Sequence, residues 1–218
     1  MKSSKILLVL IIAIAAMNIS KGATKTSTGT GNWNTNGTWS PSGVPANGDD
    51  VIILNTHVVT LNNANKQCNK LTVNAGGTLE ITSSRKLTLT GTCAINGTCN
   101  VNNGLLVQNT NGAGFNMGAG SVFVWNPSTN NSANATIWTN STENFNETSS
   151  ITIKRWYSTA VSLGSVVTGH FGNLTLNTGS AGWNQKNGFA THQIKGTLTI
   201  DSDYIILDDV NSASATTV

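Results

Sequence analysis

Residues 71 to 107, LTVNAGGTLEITSSRKLTLTGTCAINGTCNVNNGLLV, decide how this chain folds. A three-residue unit, apolar, variable, apolar, returns six times: Leu71/Val73, Leu79/Ile81, Leu87/Leu89, Cys93/Ile95, Cys99/Val101 and Leu105/Val107. Alternation within a unit is the period of a strand with one buried face, and the Gly, Asn, Thr and Ser between units are residues that tolerate tight corners. No unit buries enough surface to fold alone. Short strands at short, nearly constant spacing, with corners too tight for a helix, stack most economically as a solenoid whose inward residues form one continuous core. An antiparallel sandwich is the competitor, but it wants longer strands and more widely spaced hairpin signals. The expectation is therefore an all-β chain, a right-handed parallel β-helix or β-solenoid with an N-terminal cap.

Composition agrees with this. Asn, Thr, Ser and Gly make up about half of the 218 residues, while charged residues account for only 10%. These are weak helix formers, and helix-rich windows are absent after the leader. The apolar residues are patterned rather than missing, which argues against disorder throughout. A net charge of +3, spread along the chain, does not point to nucleic acid.

Lys2 and Lys5 precede the unbroken apolar run Ile6 to Ala16. Residues 1–22 thus read as a secretory signal peptide, too short to span a bilayer in the mature protein. Residues 23–61 read as an approach segment, cap and first strands. Within them Thr24 to Gly37 is polar and without periodicity, Trp39 covers an end of the core, and Pro41, Pro45 and Gly48 shape a rigid loop. Residues 62–107 carry the solenoid rungs. Residues 108–150 are weakly periodic and loop-rich, with strand-like Ser121 to Trp125 and Ala135 to Thr139. Residues 151–218 read as a further solenoid segment.

The order Trp39, Pro45, Gly48, Asp49/Asp50, Val51, Ile53, then Val59, Leu61 and LTVNAGGTLEI, resembles the opening of the eight-glycine extracellular domain family. It is similar as well to the N-terminal β-helix region of large exported surface proteins of gliding and related bacteria, the substrates of type IX secretion. Ile151 to Asp209 resembles the repeat segments of those proteins, in which an aromatic-Gly-Asn-Leu strand precedes Gly-Thr-Leu-Thr-Ile. The resemblance implies a parallel β-helix, surface display and a role in adhesion or polymer contact; it implies no catalytic residue. Such proteins close with a sorting domain, whereas this sequence stops at NSASATTV. Either it is the N-terminal part of a longer product, or its last rung is covered by something the sequence does not display.

Candidate chemistry is sparse. An enzyme acting on polysaccharide would need convergent carboxylates, or a basic residue with calcium ligands, and the chain holds nine acidic residues. Asp49 and Asp50 are explained by turn formation. Asp201 and Asp203 share one face of an extended segment and could hold calcium, or they are solvated corner residues; no other cofactor is indicated. His57, His170 and His192 are scattered, and no nucleophile-elbow motif accompanies them. Lys154, Arg155, Trp156 and Tyr157 are a weak nucleic-acid signal. Cys68, Cys93 and Cys99 could include a disulfide, yet Cys93 and Cys99 occupy slots that Leu fills in neighbouring units and so read as core residues. Six tryptophans stand out. Trp33, Trp125, Trp138 and Trp183 are the candidates for stacking on sugar rings beside amide and hydroxyl groups. The functional expectation is a secreted or cell-surface, non-enzymatic section of an adhesin or matrix component that contacts glycans. A polysaccharide lyase or glycosidase, or its accessory region, and a pure spacer are the alternatives.

Overall fold

The computed structural model describes residues 22–108, 113–126, 141–154, 170–179, 183–185, 193–202 and 205–207. It is a β-solenoid of parallel sheets, and no α-helix occurs among the described residues. The first face has seven strands: Thr24–Ser27, Trp39–Ser40, Asp50–Ile53, Leu71–Val73, Cys93–Ile95, Ala113–Met117 and Ser141–Phe145. The second has eight: Gly31–Asn32, Val58–Leu61, Thr78–Ile81, Thr98–Asn102, Val122–Asn126, Ser150–Ile153, Asn173–Gly179 and Leu198–Ser202. A third face is built from Lys66–Cys68, Lys86–Leu89 and Leu105–Gln108. Two further parallel pairs, His170–Phe171 with Gln193–Ile194 and Trp183–Gln185 with Ile205–Leu207, lie in the later part of the chain.

The six sequence units are therefore two turns around three faces. Leu71 stacks with Cys93 and Leu79 with Cys99, three units later in each case. Inward residues form columns that run from turn to turn. On the first face Ile53, Val73, Ile95, Met117 and Phe145 stand in register. On the second, Leu61, Ile81, Val101, Trp125, Ile153 and Leu176 do so, nearly all of them sealed from solvent. Aromatic residues enter the core in the later turns. There Phe115 packs edge-on against Phe123 at 5.6 Å and against Phe145 at 6.0 Å, and Phe123 stacks on Trp125. Edge-to-face and offset arrangements are those the ring quadrupole favours.

Corners are set by local chemistry. Thr56, Ser83, Ser84 and Asn103 adopt positive φ at bends between faces, a conformation in which short polar side chains are the tolerated alternative to Gly. At Gly97 a Cβ would press into the carbonyl oxygens of Asn74 and Gly77, so successive corners nest backbone to backbone. Only glycine allows that approach.

The first turn begins earlier than the sequence suggests. Thr24–Ser27 pairs in parallel with Asp50–Ile53, and Gly31–Asn32 with Val58–Leu61, so part of the polar approach segment is already solenoid. Its apolar content is low because the cap supplies the missing cover. Trp39, in a strand antiparallel to Thr24–Ser27, is buried and donates from Nε1 to the Trp33 carbonyl at 2.8 Å. The two rings meet edge-on at 5.1 Å. Trp39 thus covers the core end as expected, and Asp49 shapes the cap loop by accepting from the Ala23 and Ala46 amides, both at 2.8 Å.

On the third face the register differs by one residue from the sequence reading. Leu106 pairs with Leu87 and Gln108 with Leu89, while Val107 sits beside Thr88 and is only partly buried. Alternation fixes which residues share a side, but in Leu105-Leu106-Val107 both phases contain apolar residues. The ladder with Lys86–Leu89 chooses between them. The cost is a buried Gln108, whose Nε2 donates to the Gly91 and Gly114 carbonyls at 2.8 and 3.2 Å.

Candidate functional site

The outward side of the second face carries the most regular polar surface. Its strands alternate, so every second residue points outward. Thr78, Thr98, Val122, Ser150 and Asn173 form one outward column. Beside it stand Thr60, Glu80, Asn100, Val124, Thr152, Thr175 and Thr199. Neighbouring turns are tied side chain to side chain. Asn100 Nδ2 donates to Glu80 Oε1 at 2.7 Å, Asn126 Nδ2 to Asn102 Oδ1 at 2.9 Å, and Asn177 Nδ2 to Asp201 Oδ2 at 2.8 Å.

Within this surface lies an open trough of about 230 Å³, lined by Glu80, Asn100, Asn102, Val124, Asn126 and Lys154. Val124 offers a patch of apolar floor. Three amides, a carboxylate and an ammonium group surround it, giving donors and acceptors on both sides of whatever lies along the strands. The Glu80 carboxylate is held in place by Asn100. Among the described lining residues it is the single acidic group, and Lys154 the single basic one. Such an arrangement can orient hydroxyl groups.

The tryptophan expectation is corrected at two positions. Trp33 has no exposed surface and Trp125 only 2%. Trp33 is the partner of Trp39 in the cap, and Trp125 occupies the inward phase of its strand between Val101 and Ile153. Neither ring can stack on a ligand. Trp138 lies outside the described residues, and Trp183 is described only as a strand residue paired with Ile205.

Other candidates resolve into structural roles or fall outside the described residues. Asp201 is exposed and accepts from Asn177; Asp203 is not among the described residues. Among the described residues no group of three or more His, Cys, Asp or Glu converges as a metal site. His57 Nδ1 lies 2.8 Å from the Ser27 hydroxyl, which also accepts from the Leu54 amide, so this pair ties the first turn to the second. Lys154 joins the trough, whereas Arg155, Trp156, Tyr157 and His192 lie outside the described residues. Cys68, Cys93 and Cys99 are buried, unlinked thiols in the core. Burial, followed by the nearby carboxylates of Asp50 and Asp49, pushes the Cys68 thiol up to about 12. Burial likewise raises Cys93 and Cys99. They are protonated and unreactive at neutral pH. No described helix is long and apolar enough to cross a membrane.

Residues 24–122 match a family model described only as a domain of unknown function, DUF8693. The matched segment starts at the first residue of the first strand and ends at Val122, the first residue of a second-face strand. It therefore takes in the cap and the complete three-faced turns and includes Phe115, but ends before its aromatic partners Phe123 and Phe145. No curated protein and no solved structure matches the chain.

The trough could not be found from sequence, because its six residues come from three strands and the position just after a fourth. The available signal was weaker: Asn and Thr recur at the variable position of the apolar-x-apolar units, as in Asn100 of Cys99-Asn100-Val101 and Thr152 of Ile151-Thr152-Ile153.

Proposed function

We propose that this protein is a non-enzymatic β-solenoid of the cell exterior that contacts glycans through the outward side of its second face. The observation that carries the reading is the trough itself: three amides, Glu80 and Lys154 around Val124, set in a long surface of Thr, Ser and Asn. Polyhydroxylated ligands are recognised by this mixture of orienting donors and acceptors beside a small apolar patch. A rigid ladder also lowers the entropic cost of binding, since Asn100 and Asn126 are already held by their neighbours. The leader-like residues 1–22 and the resemblance to exported bacterial surface proteins support an extracellular setting. Adhesion or a matrix role follows from that setting and from a repetitive surface that can engage a polymer at several turns.

A glycan-array screen of the full chain, repeated with Asn100→Ala plus Asn126→Ala, tests the proposal. Loss of one or two charge-assisted or neutral hydrogen bonds is expected to weaken binding about tenfold or more. Reducing-sugar release from a polysaccharide panel, abolished by Glu80→Gln, would instead support a hydrolase. Glycan binding unchanged in the double variant would sink the site.

A further inference from the structure

The surface next to the cap carries a second, chemically different depression. It is a trough of about 410 Å³ between the cap loop and the third face, lined by Asn47, Asn65, Lys66, Gln67 and Lys86 together with Pro45 and Thr88. Lys66 and Lys86 come from adjacent strands of the third face, and Lys86 is exposed. Among the described residues no carboxylate belongs to the lining, so the trough's charged side chains there are two lysines. Lys66–Cys68 is the outermost strand of its sheet among the described residues. The chain beyond it is anchored to the cap by the Asn69 amide, which donates to the Asp49 carbonyl at 2.7 Å. Asn65 is fixed as well, since its Oδ1 accepts from the Lys86 amide at 2.9 Å, which leaves its NH2 group to donate outward.

We infer that this trough binds an acidic polysaccharide, with Lys66 and Lys86 pairing with carboxylate or sulfate groups along the chain. Lys66 pairs with Leu87, so Lys86 is offset from it by one residue on the adjacent strand, and an anionic group bound in the trough that both lysines line is attracted by both. Asn47, Asn65 and Gln67 supply amides for hydroxyl groups, as a sugar requires. Single-stranded nucleic acid is disfavoured because, among the described residues, no aromatic side chain lines the trough to stack a base. The site stands apart from the second-face trough: its residues come from other strands, and its specificity is for charge.

Affinity electrophoresis of the full chain through gels containing polygalacturonate, dextran sulfate or neutral dextran tests the inference. Retardation by at least one acidic polymer is expected, falling as salt rises, because exposed charge pairs are screened. Lys66→Gln plus Lys86→Gln is expected to weaken it about tenfold or more, with an unchanged urea midpoint as the check on folding. Lys154→Gln, in the other trough, is expected to leave it unaltered. The inference is overturned if the acidic polymers do not retard the chain, if the double variant is retarded as strongly as the parent, or if a single-stranded polynucleotide set in the gel retards the chain as strongly as the acidic polysaccharides do. Loss of neutral-glycan binding on Asn100→Ala plus Asn126→Ala would leave these outcomes unchanged, so the two sites fail separately.

Discussion

At the scale of single residues, the third face is the sharpest case. Leu106 and Val107 are neighbours of similar hydrophobicity, yet one is 1% exposed within the core and the other half covers the surface beside Thr88. Leu106→Ala is expected to lower stability by about 2–5 kcal/mol and Val107→Ala by under about 1 kcal/mol. Urea titration of both variants reads the difference directly, and equal losses would contradict the register. The same logic explains the tryptophans. A residue rich in polarisable ring surface is attractive as a sugar platform, but in a chain with few large apolar side chains it is also the best core filler available. Trp33 and Trp125 serve in that second way.

At the scale of elements, the solenoid is held by corners as much as by strands. The short apolar-x-apolar units were legible in the sequence because alternation is a local property. The way a corner nests on the one below it was not, since that contact joins residues about a turn apart. Gly97 marks such a place, with the Asn74 and Gly77 carbonyls where a side chain would begin. Gly97→Ala is expected to destabilise by about 1–3 kcal/mol through forced displacement of backbone, measured as a lower urea midpoint with unchanged slope. The polar approach segment failed as a sequence reading for a related reason. A terminal strand such as Thr24–Ser27 takes its apolar cover from Trp39 and Trp33 across the cap, so its own composition carries little sign of burial.

At the scale of the whole molecule, one uninterrupted core makes stability a shared property of the turns. The buried thiols report on it. In the unfolded chain they ionise near their ordinary value of 9.0, whereas the folded state keeps Cys68 protonated to about 12. Above pH 9 the unfolded chain therefore holds fewer protons than the folded one. Their contribution to stability is complete below pH 9 and declines as pH rises towards 12. The urea midpoint is expected to fall between pH 8 and pH 10.5, and to fall less steeply in Cys68→Ala. A slope untouched by that substitution would separate the thiol from the alkaline loss.

The sequence by itself determined the fold class, since alternation and tight corners leave few ways to bury so little apolar surface, and the repeat distance permits stacking of parallel turns. It determined that Trp39 caps the core, and that Cys93 and Cys99 replace Leu within it. Only the tertiary structure decided which of two apolar phases faces inward on the third face, and that Trp33 and Trp125 are interior. It alone gathered Glu80, Asn100, Asn126 and Lys154 onto one surface. Local pattern encodes which residues share a side of a strand; which strands become neighbours, and at what register, is settled by ladder pairing and packing between turns.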